Sequence, residues 1–241
     1  MERCDGDLQE LIRSWAGSGE QKWGEDPGTP EKMRILAQIT AAVAHIHEVA
    51  PVALIHRDLK PENVFIAHVE HPETENLHLH VKIGDMGLSD DTDDEEKGFA
   101  GTPGYIAPEM YQFYDEEIED YDEGVDIWSV GMLMLDLLAV GQFDRAEGAS
   151  AGYQILLESD LETDEEADEY DTSVVLLREG AAKTMKKIWA AEGVKGEDKG
   201  VVALLKKFLT VNPDKRSSAR ELLEGKVLSS VEPKEEYMDM W

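Results

Sequence analysis

Apolar side chains recur at helical spacing in several separate stretches of the chain. The first stretch carries Leu8, Leu11, Ile12 and Trp15, and it runs into a segment rich in glycine and proline. Since residues three and four positions apart share one face of a helix, this spacing predicts a short helix followed by a linker.

A longer helix and a small hairpin are predicted next. The segment 29–32 reads as a capped helix start with a proline in the first turn, and an apolar face continues through His47. Two short runs of strand-forming residues, at 63–66 and 80–83, flank a polar excursion. Such a pair predicts a small antiparallel hairpin.

The second half of the chain predicts further helices. An apolar run over 125–133 indicates a buried helix, and amphipathic patterns predict helices at 174–191 and 201–209. The segment 218–223 is expected to close the domain. Acidic tracts separate these elements at 89–96, 115–123 and 158–171. Segments of that composition cannot bury themselves in a core, so we expect them at the surface.

The charge of the chain limits its partners. The 241 residues include 23 Lys and Arg against 53 Asp and Glu, for a formal net charge of -30. Such a charge repels nucleic acids and anionic membranes, so we expect neither as a partner. It favours protein partners or substrates with basic residues. A solvated acidic surface without any steering role explains the composition equally well.

Cysteine and hydropathy patterns bear on the compartment. Cys4 is the single cysteine, which excludes an internal disulfide framework. The longest apolar stretch, from Val130 to Val140, contains Asp136 and is far shorter than the ~20 residues of a membrane span. We expect an intracellular protein, cytoplasmic or nuclear, without a membrane anchor.

One segment carries a dense set of chemical groups. Residues 56–63 read His-Arg-Asp-Leu-Lys-Pro-Glu-Asn, which places a carboxylate, an ammonium and a carboxamide together. Every specified position of the phosphoryl-transfer motif H-R-D-L-x-x-x-N is matched. Asp85-Met86-Gly87 then stands at the place of D-F-G, and Ala107-Pro108-Glu109 matches A-P-E. Chance is a poor explanation for three spaced motifs in this order.

On these motifs the chain resembles the eukaryotic protein kinases, and Lys60 resembles their serine/threonine branch. The segments 1–8 and 101–105 are most similar to calcium/calmodulin-dependent kinases. The resemblance implies a mainly α fold, namely the family's hinge and large C-terminal lobe over 1–225 with a small β-hairpin at the catalytic cleft. Residues 226–241 are then a C-terminal tail. No glycine-rich loop or strand lysine precedes the motifs, so we expect the β-rich N-terminal lobe to be absent from this chain and encoded in a longer reading frame.

The resemblance also implies a reaction. Asp58 is expected to orient a protein Ser or Thr hydroxyl toward the γ-phosphoryl group of ATP, and Lys60 to stabilise the charge that develops there. Asn63 completes the catalytic group and, with Asp85, supplies oxygen ligands for Mg²⁺. The residues expected to contact ATP are Met1, Cys4, Asp7, Lys60, Glu62, Asn63, Phe65 and Asp85.

The activation segment departs from the family pattern. Arg57 resembles the arginine that binds a phosphate on this segment, yet Gly98 stands where many relatives carry the phosphorylated threonine. Thr92 is a remaining hydroxyl in the acidic tract. Glu95 or Glu96 could replace the phosphate as a partner of Arg57, and an unpaired acidic loop is the equal alternative.

Other positions resemble parts that hold the family's site together. Thr102 is expected near the substrate hydroxyl, and Glu109 is expected to form a buried ion pair with Arg216. Asp126 is expected to accept hydrogen bonds from backbone amides of the catalytic loop. Met86 replaces the usual phenylalanine and is expected to fill the same apolar slot. Structural roles are therefore expected for His56, Met86, Asp126 and Arg216.

Two functions remain open. The first is a catalytic serine/threonine kinase, of which this chain is the large lobe. The second is a binding module that uses a kinase lobe as a scaffold or regulator. An exposed cleft floor around Val64 and Phe65 is expected to form an apolar patch that a partner covers.

Overall fold

The computed structural model describes residues 4–17, 23, 26–49, 53–70, 78–91, 98–114, 118–138, 140 and 199–231. The elements in this part of the chain are β1 (Gly6–Asp7), α1 (Leu8–Trp15), α2 (Thr29–Glu48), β2 (Leu54–Ile55), β3 (Val64–Glu70), β4 (His78–Ile83), β5 (Asp90–Asp91), α3 (Pro108–Tyr114), α4 (Gly124–Leu138), α5 (Lys199–Phe208) and α6 (Ala219–Glu224). Short 3-10 helices lie at 61–63, 86–88, 213–215 and 228–230. The fold is mainly α. The helix predicted at 174–191 lies outside the described residues.

The first two helices confirm the periodicity, but one cap differs from the prediction. Asp7 begins α1, since its Oδ1 accepts a hydrogen bond of 2.8 Å from the Glu10 amide. Helix α2 has no side-chain cap, because the residue that precedes it, Gly28, has no side chain. Gly28 has a φ of 81°. The capped start expected over 29–32 was therefore wrong. A glycine adopts this positive φ without the strain that a Cβ would bring.

The β structure is larger than the predicted hairpin. Strands β3 and β4 pair antiparallel, with Val64 opposite Ile83, and they are longer than expected. Strand β1 adds to the other edge of β3, with Asp7 opposite Phe65, so the sheet has the order β1-β3-β4. Strands β2 and β5 form a separate antiparallel pair. These additional strands have two residues each, which is too short for an alternating pattern to reveal.

Helix α2 lies against β4 and forms hydrogen bonds with it through a side chain. The amide of Gln38 is buried, its Nε2 donates to the Leu79 carbonyl at 2.9 Å, and its Oε1 accepts from the Val81 amide at 3.0 Å. One side chain thus satisfies a donor and an acceptor that an edge strand would otherwise bury unpaired.

Helix α4 forms the centre of the core. It is apolar around most of its circumference and buried along its whole length, as expected for a helix surrounded by other elements. Helices α2 and α5 pack against it. Gly131 permits the close approach of α5, since a Cβ there would lie 2.6 Å from Leu209 Cδ2 and 2.8 Å from Phe208 Cβ. In the described ranges, no helix combines the length and apolar character that crossing a bilayer takes.

We expect Gln38→Met to destabilise the fold, because the Leu79 carbonyl and the Val81 amide would remain buried without their partner. An unsatisfied buried group costs about 1–3 kcal/mol, so urea denaturation should show a loss in that range or above. Gln112→Met in α3 is the matched control and should change the unfolding free energy by less than about 0.5 kcal/mol. Equal effects of the two substitutions would contradict this role of Gln38.

The end of α2 is tied to α6 by an exposed ion pair, and its contribution should depend on pH. Arg220 forms a bidentate contact with Glu48, and this hydrogen bonding lowers the pKa of the Glu48 carboxyl. A lowered pKa in the folded chain means that the pair stabilises the fold above the ordinary value of 4.5 and loses that contribution as the pH falls through the lower folded value.

Arg220→Gln should therefore reduce the unfolding free energy at neutral pH by no more than about 1 kcal/mol, because the pair is exposed. The difference from the wild type should shrink as the pH falls below 4.5. Denaturation series at several pH values measure this difference. A difference that grows toward acidic pH would contradict the assignment.

Candidate active site

The backbone of the segment 56–63, here called the catalytic loop, is fixed by a buried carboxylate. Asp126 of α4 is fully buried, and its Oδ2 accepts a 2.7 Å hydrogen bond from the His56 amide while Oδ1 accepts one of 2.9 Å from the Arg57 amide. His47 Nε2 at the end of α2 lies 2.8 Å from the same Oδ2. The geometry expected for Asp126 is thus present, and it joins the loop to two helices.

Three of the predicted site residues form one hydrogen-bonded group. The Thr102 hydroxyl donates to Asp58 Oδ1 at 2.6 Å. Lys60 Nζ donates to Thr102 Oγ1 at 2.9 Å and lies 3.0 Å from Asp58 Oδ2. Asp58 is buried, whereas Lys60 and Thr102 are half-buried. The arrangement holds a carboxylate and an ammonium next to each other, which suits the positioning and charge stabilisation that phosphoryl transfer requires.

Asn63 and Asp85 lie on adjacent segments. Asn63 Nδ2 donates to the Asp58 carbonyl at 2.8 Å and to Asp58 Oδ2 at 3.1 Å, so both polar contacts of the side chain with Asp58 use the amide nitrogen. The Gly84 amide donates to the Asn63 carbonyl at 3.0 Å, and His56 Nε2 lies 3.0 Å from the Gly84 carbonyl. Asp85 follows directly, exposed and with a φ of 61°.

This pair of oxygen donors fits a magnesium ion. Mg²⁺ takes carboxylate and carbonyl oxygens, keeps several waters, and is usually held by one or two protein ligands together with phosphate oxygens. Among the described residues, no group of three or more His, Cys, Asp or Glu could hold a metal without such additional ligands. The carboxamide of Asn63 and the carboxylate of Asp85 are donors of the kind that Mg²⁺ takes together with phosphate oxygens.

The structure describes all but one of the other residues that are expected to contact ATP. Met1 lies outside the described residues. Cys4 is half-buried, and Glu62 is exposed. Asp7 and the half-buried Phe65 are paired across β1 and β3, and the Asp7 carboxylate caps α1. Asp7 and Phe65 therefore share one sheet, whose strand β3 directly follows the catalytic loop.

The arginine of the catalytic loop has a partner that the sequence did not single out. Arg57 Nη1 lies 2.6 Å from Asp90 Oδ2. Glu95 and Glu96, the partners considered above, and Thr92 lie outside the described residues. The run of acidic residues from 90 onward indicated an acidic partner for Arg57. The sequence alone did not show which of these carboxylates it is.

The expected ion pair between Glu109 and Arg216 is present and buried. Arg216 Nη1 lies 2.5 Å from Glu109 Oε1 and Nη2 lies 2.9 Å from Oε2, with both side chains almost fully buried. The guanidinium also donates to the Gly124 carbonyl at 2.7 Å and to the Thr210 carbonyl at 2.8 Å, and it lies 5.4 Å from the Trp128 ring centroid. This arginine thus joins three separate segments.

Two expectations for apolar residues were wrong. Met86 does not fill an apolar slot among the described residues, because its side chain is 39% exposed, and Leu88 next to it is 44% exposed. Val64 is fully buried in the core, so it forms no exposed cleft floor. The exposed apolar residues of the described part of the chain thus include Met86 and Leu88, which follow Asp85, but not Val64.

Two polar partners of the catalytic loop are not predicted by the motifs. His47 contacts Asp126. The sequence offered a signal for this contact, since His47 is a polar residue in the last turn of a helix with an apolar face. The Tyr121 hydroxyl accepts a 3.0 Å hydrogen bond from Arg57 Nη1. Tyr121 follows an acidic tract, and no spacing rule connects it to the catalytic loop.

Comparison with known proteins identifies the family. The family model described as the protein kinase domain matches residues 1–228 of the chain. The match covers nearly the whole sequence and includes all three motifs. The chain therefore belongs to the protein kinase domain family.

The similar curated proteins include several serine/threonine kinases. Serine/threonine-protein kinase 33 of Mus musculus is 27% identical over 244 residues, covering 97% of this chain and 41% of that protein. Rhodopsin kinase GRK1 of Homo sapiens is 35% identical over 129 residues, covering 52% of this chain and 20% of that protein. Serine/threonine-protein kinase pkpA of Phycomyces blakesleeanus is 36% identical over 114 residues. The chain thus spans less than half the length of each of the first two relatives.

We expect Arg216→Met to destabilise the protein strongly, because it leaves the Glu109 carboxylate buried without its partner. Removing one member of a buried ion pair costs about 3–5 kcal/mol. Urea denaturation measures this loss. The double substitution Arg216→Met with Glu109→Leu should recover part of it, since both charges are then absent. Arg220→Met, which removes the exposed partner of Glu48, is the control. A loss of unfolding free energy in Arg216→Met that is as small as in this control would contradict the role assigned to Arg216.

Proposed function

We propose that the chain is the hinge and C-terminal lobe, residues 1–225, of a protein serine/threonine kinase. In this proposal it transfers the γ-phosphoryl group of ATP to a Ser or Thr hydroxyl of a protein substrate. The observation that supports it best is the hydrogen-bonded group of Asp58, Lys60 and Thr102 beside Asn63. The motifs alone do not require these side chains to meet, so their contact is independent support.

Asp58 orients the acceptor hydroxyl in the proposed reaction and accepts a hydrogen bond from it. Its carboxylate is buried and held from two sides, by Thr102 on Oδ1 and by Lys60 and Asn63 on Oδ2. A carboxylate held in this way needs little reorganisation when a substrate binds. Lys60 keeps a positive charge beside the acceptor oxygen, where it stabilises the negative charge of the transferring group.

Asn63 and Asp85 are the proposed ligands of magnesium, and the ion supplies positive charge that neutralises phosphate oxygens when it is bound. On the nucleotide side, the proposal assigns contacts with ATP to Met1, Cys4, Asp7, Glu62 and Phe65 in addition to Lys60. The pairing of Asp7 with Phe65 across β1 and β3 supports a shared surface for these residues.

The substrate class follows from charge. A net charge of -30 attracts positively charged segments, so we propose acceptor sites with basic residues nearby. The single cysteine suits a reducing compartment, which supports an intracellular location, cytoplasmic or nuclear.

A second candidate function is a non-catalytic binding module, a kinase lobe that serves as a scaffold or regulator. The exposed side chains of Met86 and Leu88 favour it, because they place apolar surface at the mouth of the site, beside Asp85. A protein partner that covers this surface would bury both side chains. The same surface is compatible with the catalytic proposal if the partner completes the ATP site.

Metal-dependent nucleotide binding tests the cofactor site. Titration of the chain with ATP should show binding that requires Mg²⁺, and Asp85→Asn should weaken it about tenfold or more, since second-sphere and ligand losses have effects of that order. Asp214→Asn, an exposed carboxylate of the 213–215 turn, is the charge-matched control and should bind like the wild type. Nucleotide binding that is the same with Mg²⁺ and with EDTA would contradict the metal site.

Phosphoryl transfer tests the enzyme against the binding module. With a basic Ser-containing peptide as acceptor, Asp58→Asn should lower the rate by about 10²–10⁴, the usual contribution of a positioned acid–base group. Its affinity for Mg-ATP should remain within a few-fold of the wild type, because Asp58 holds the acceptor and not the nucleotide. A wild-type chain that binds Mg-ATP without any transfer would support the binding module.

A further inference from the structure

The guanidinium of Arg57 is surrounded by groups from three segments. Its Nε donates to the Leu88 carbonyl at 2.6 Å, and its Nη1 lies 2.6 Å from Asp90 Oδ2. Nη1 also donates to the Gly98 carbonyl at 3.2 Å and to the Tyr121 hydroxyl at 3.0 Å. We call this set the Arg57 clasp, namely Arg57, Asp90, Tyr121 and the carbonyls of Leu88 and Gly98.

The side chains of the Arg57 clasp are mostly shielded from water. Those of Arg57 and Asp90 are only 10% and 16% exposed, and Tyr121 is buried. The Tyr121 hydroxyl donates in turn to the Gly98 carbonyl at 2.7 Å. Its ring packs edge-on against Phe113, with 5.0 Å between centroids, which fixes where the hydroxyl lies. An ion pair in such a place is screened less than one at the surface.

The backbone of Arg57 directs its side chain toward this set. Arg57 has a φ of 66°, in the left-handed region that a residue with a Cβ rarely adopts. Its amide is held by Asp126 Oδ1 at 2.9 Å. A conformation of this kind persists only where the surroundings determine it strongly, and such positions cluster at functional sites.

The Arg57 clasp acts on the segment that carries Thr102. Gly98 receives hydrogen bonds from both Arg57 and Tyr121, and four residues later Thr102 contacts Asp58. Leu88 and Asp90, on the other side, lie three and five residues after Asp85. The clasp therefore connects the two segments that hold the proposed acceptor-binding and metal-binding groups.

We propose that Asp90 is a built-in anion for Arg57, with Tyr121 as a positioning residue, so that the segment from Gly98 to Thr102 is ordered without phosphorylation. The guanidinium already pairs with an internal carboxylate, so it has little to gain from a phosphate. A phosphate near Arg57 would also face the like charge of Asp90, which opposes its binding. The consequence for regulation rests on the proposed kinase function, whereas the ordering of the segment does not.

Amide hydrogen exchange over residues 98–105 tests the ordering. Asp90→Asn and Tyr121→Phe should each speed exchange in this segment on the order of tenfold, the effect of losing a hydrogen bond to a charged or buried partner. Asp90→Glu keeps the carboxylate and should retain most of the protection. Asp214→Asn, which removes an exposed charge, is the matched control and should exchange like the wild type.

Added phosphate separates a specific anion site from general loosening. In Asp90→Ala the guanidinium loses its carboxylate, so inorganic phosphate should restore protection of residues 98–105, whereas chloride at equal ionic strength should not. The wild type should respond to neither salt. Asp90→Asn, which keeps the side-chain shape, provides the same comparison if Asp90→Ala does not fold.

Two results would overturn the proposal. One is protection of residues 98–105 that stays at the wild-type level in both Asp90→Asn and Tyr121→Phe. The other is loss of protection that phosphate and chloride restore equally, or not at all. These measurements use no nucleotide and no substrate, so they stand apart from a failure of the kinase assays.

Discussion

The buried carboxylate of Asp126 is the constraint on which the rest of the site depends. A charge without access to water is tolerated only when hydrogen bonds compensate its desolvation. Here the compensation comes from the amides of His56 and Arg57 and from the His47 ring. The apolar helix α4 sets the position of the carboxylate by its packing, and the carboxylate sets the course of the catalytic loop. The hydrophobic core thereby determines where polar chemistry is placed.

The catalytic loop contacts the rest of the site on two sides. On one side it carries Asp58 and Asn63, whose side chains contact each other, and the Asn63 carbonyl accepts a hydrogen bond from the Gly84 amide just before Asp85. On the other side the Arg57 side chain reaches Gly98, in the segment that continues to Thr102, and Thr102 contacts Asp58. Both sets of contacts therefore lead to the carboxylate of Asp58, so a change on either side of the catalytic loop affects it.

The sequence predicted the long elements better than it predicted the contact partners of the residues in its motifs. Helical periodicity over α1, α2 and α4 was sufficient, because many positions contribute to each pattern. The two-residue strands and the glycine before α2 offered no such pattern. Motif spacing indicated Asp58, Lys60 and Asn63, whereas the choice of Asp90 among neighbouring acids depends on β5 pairing with β2. The exposure of Met86 likewise depends on what surrounds it in space.

The hydrogen bonds between Gln38 and β4 have a consequence for association. The free edge of a sheet is a template on which a foreign strand can grow, and this is a common route to β-aggregation. Helix α2 lies along that edge, and Gln38 occupies the backbone groups of Leu79 and Val81 that an incoming strand would need. A mainly helical protein thus protects this edge of its small sheet from polymerisation with one buried carboxamide that bonds directly to the strand backbone.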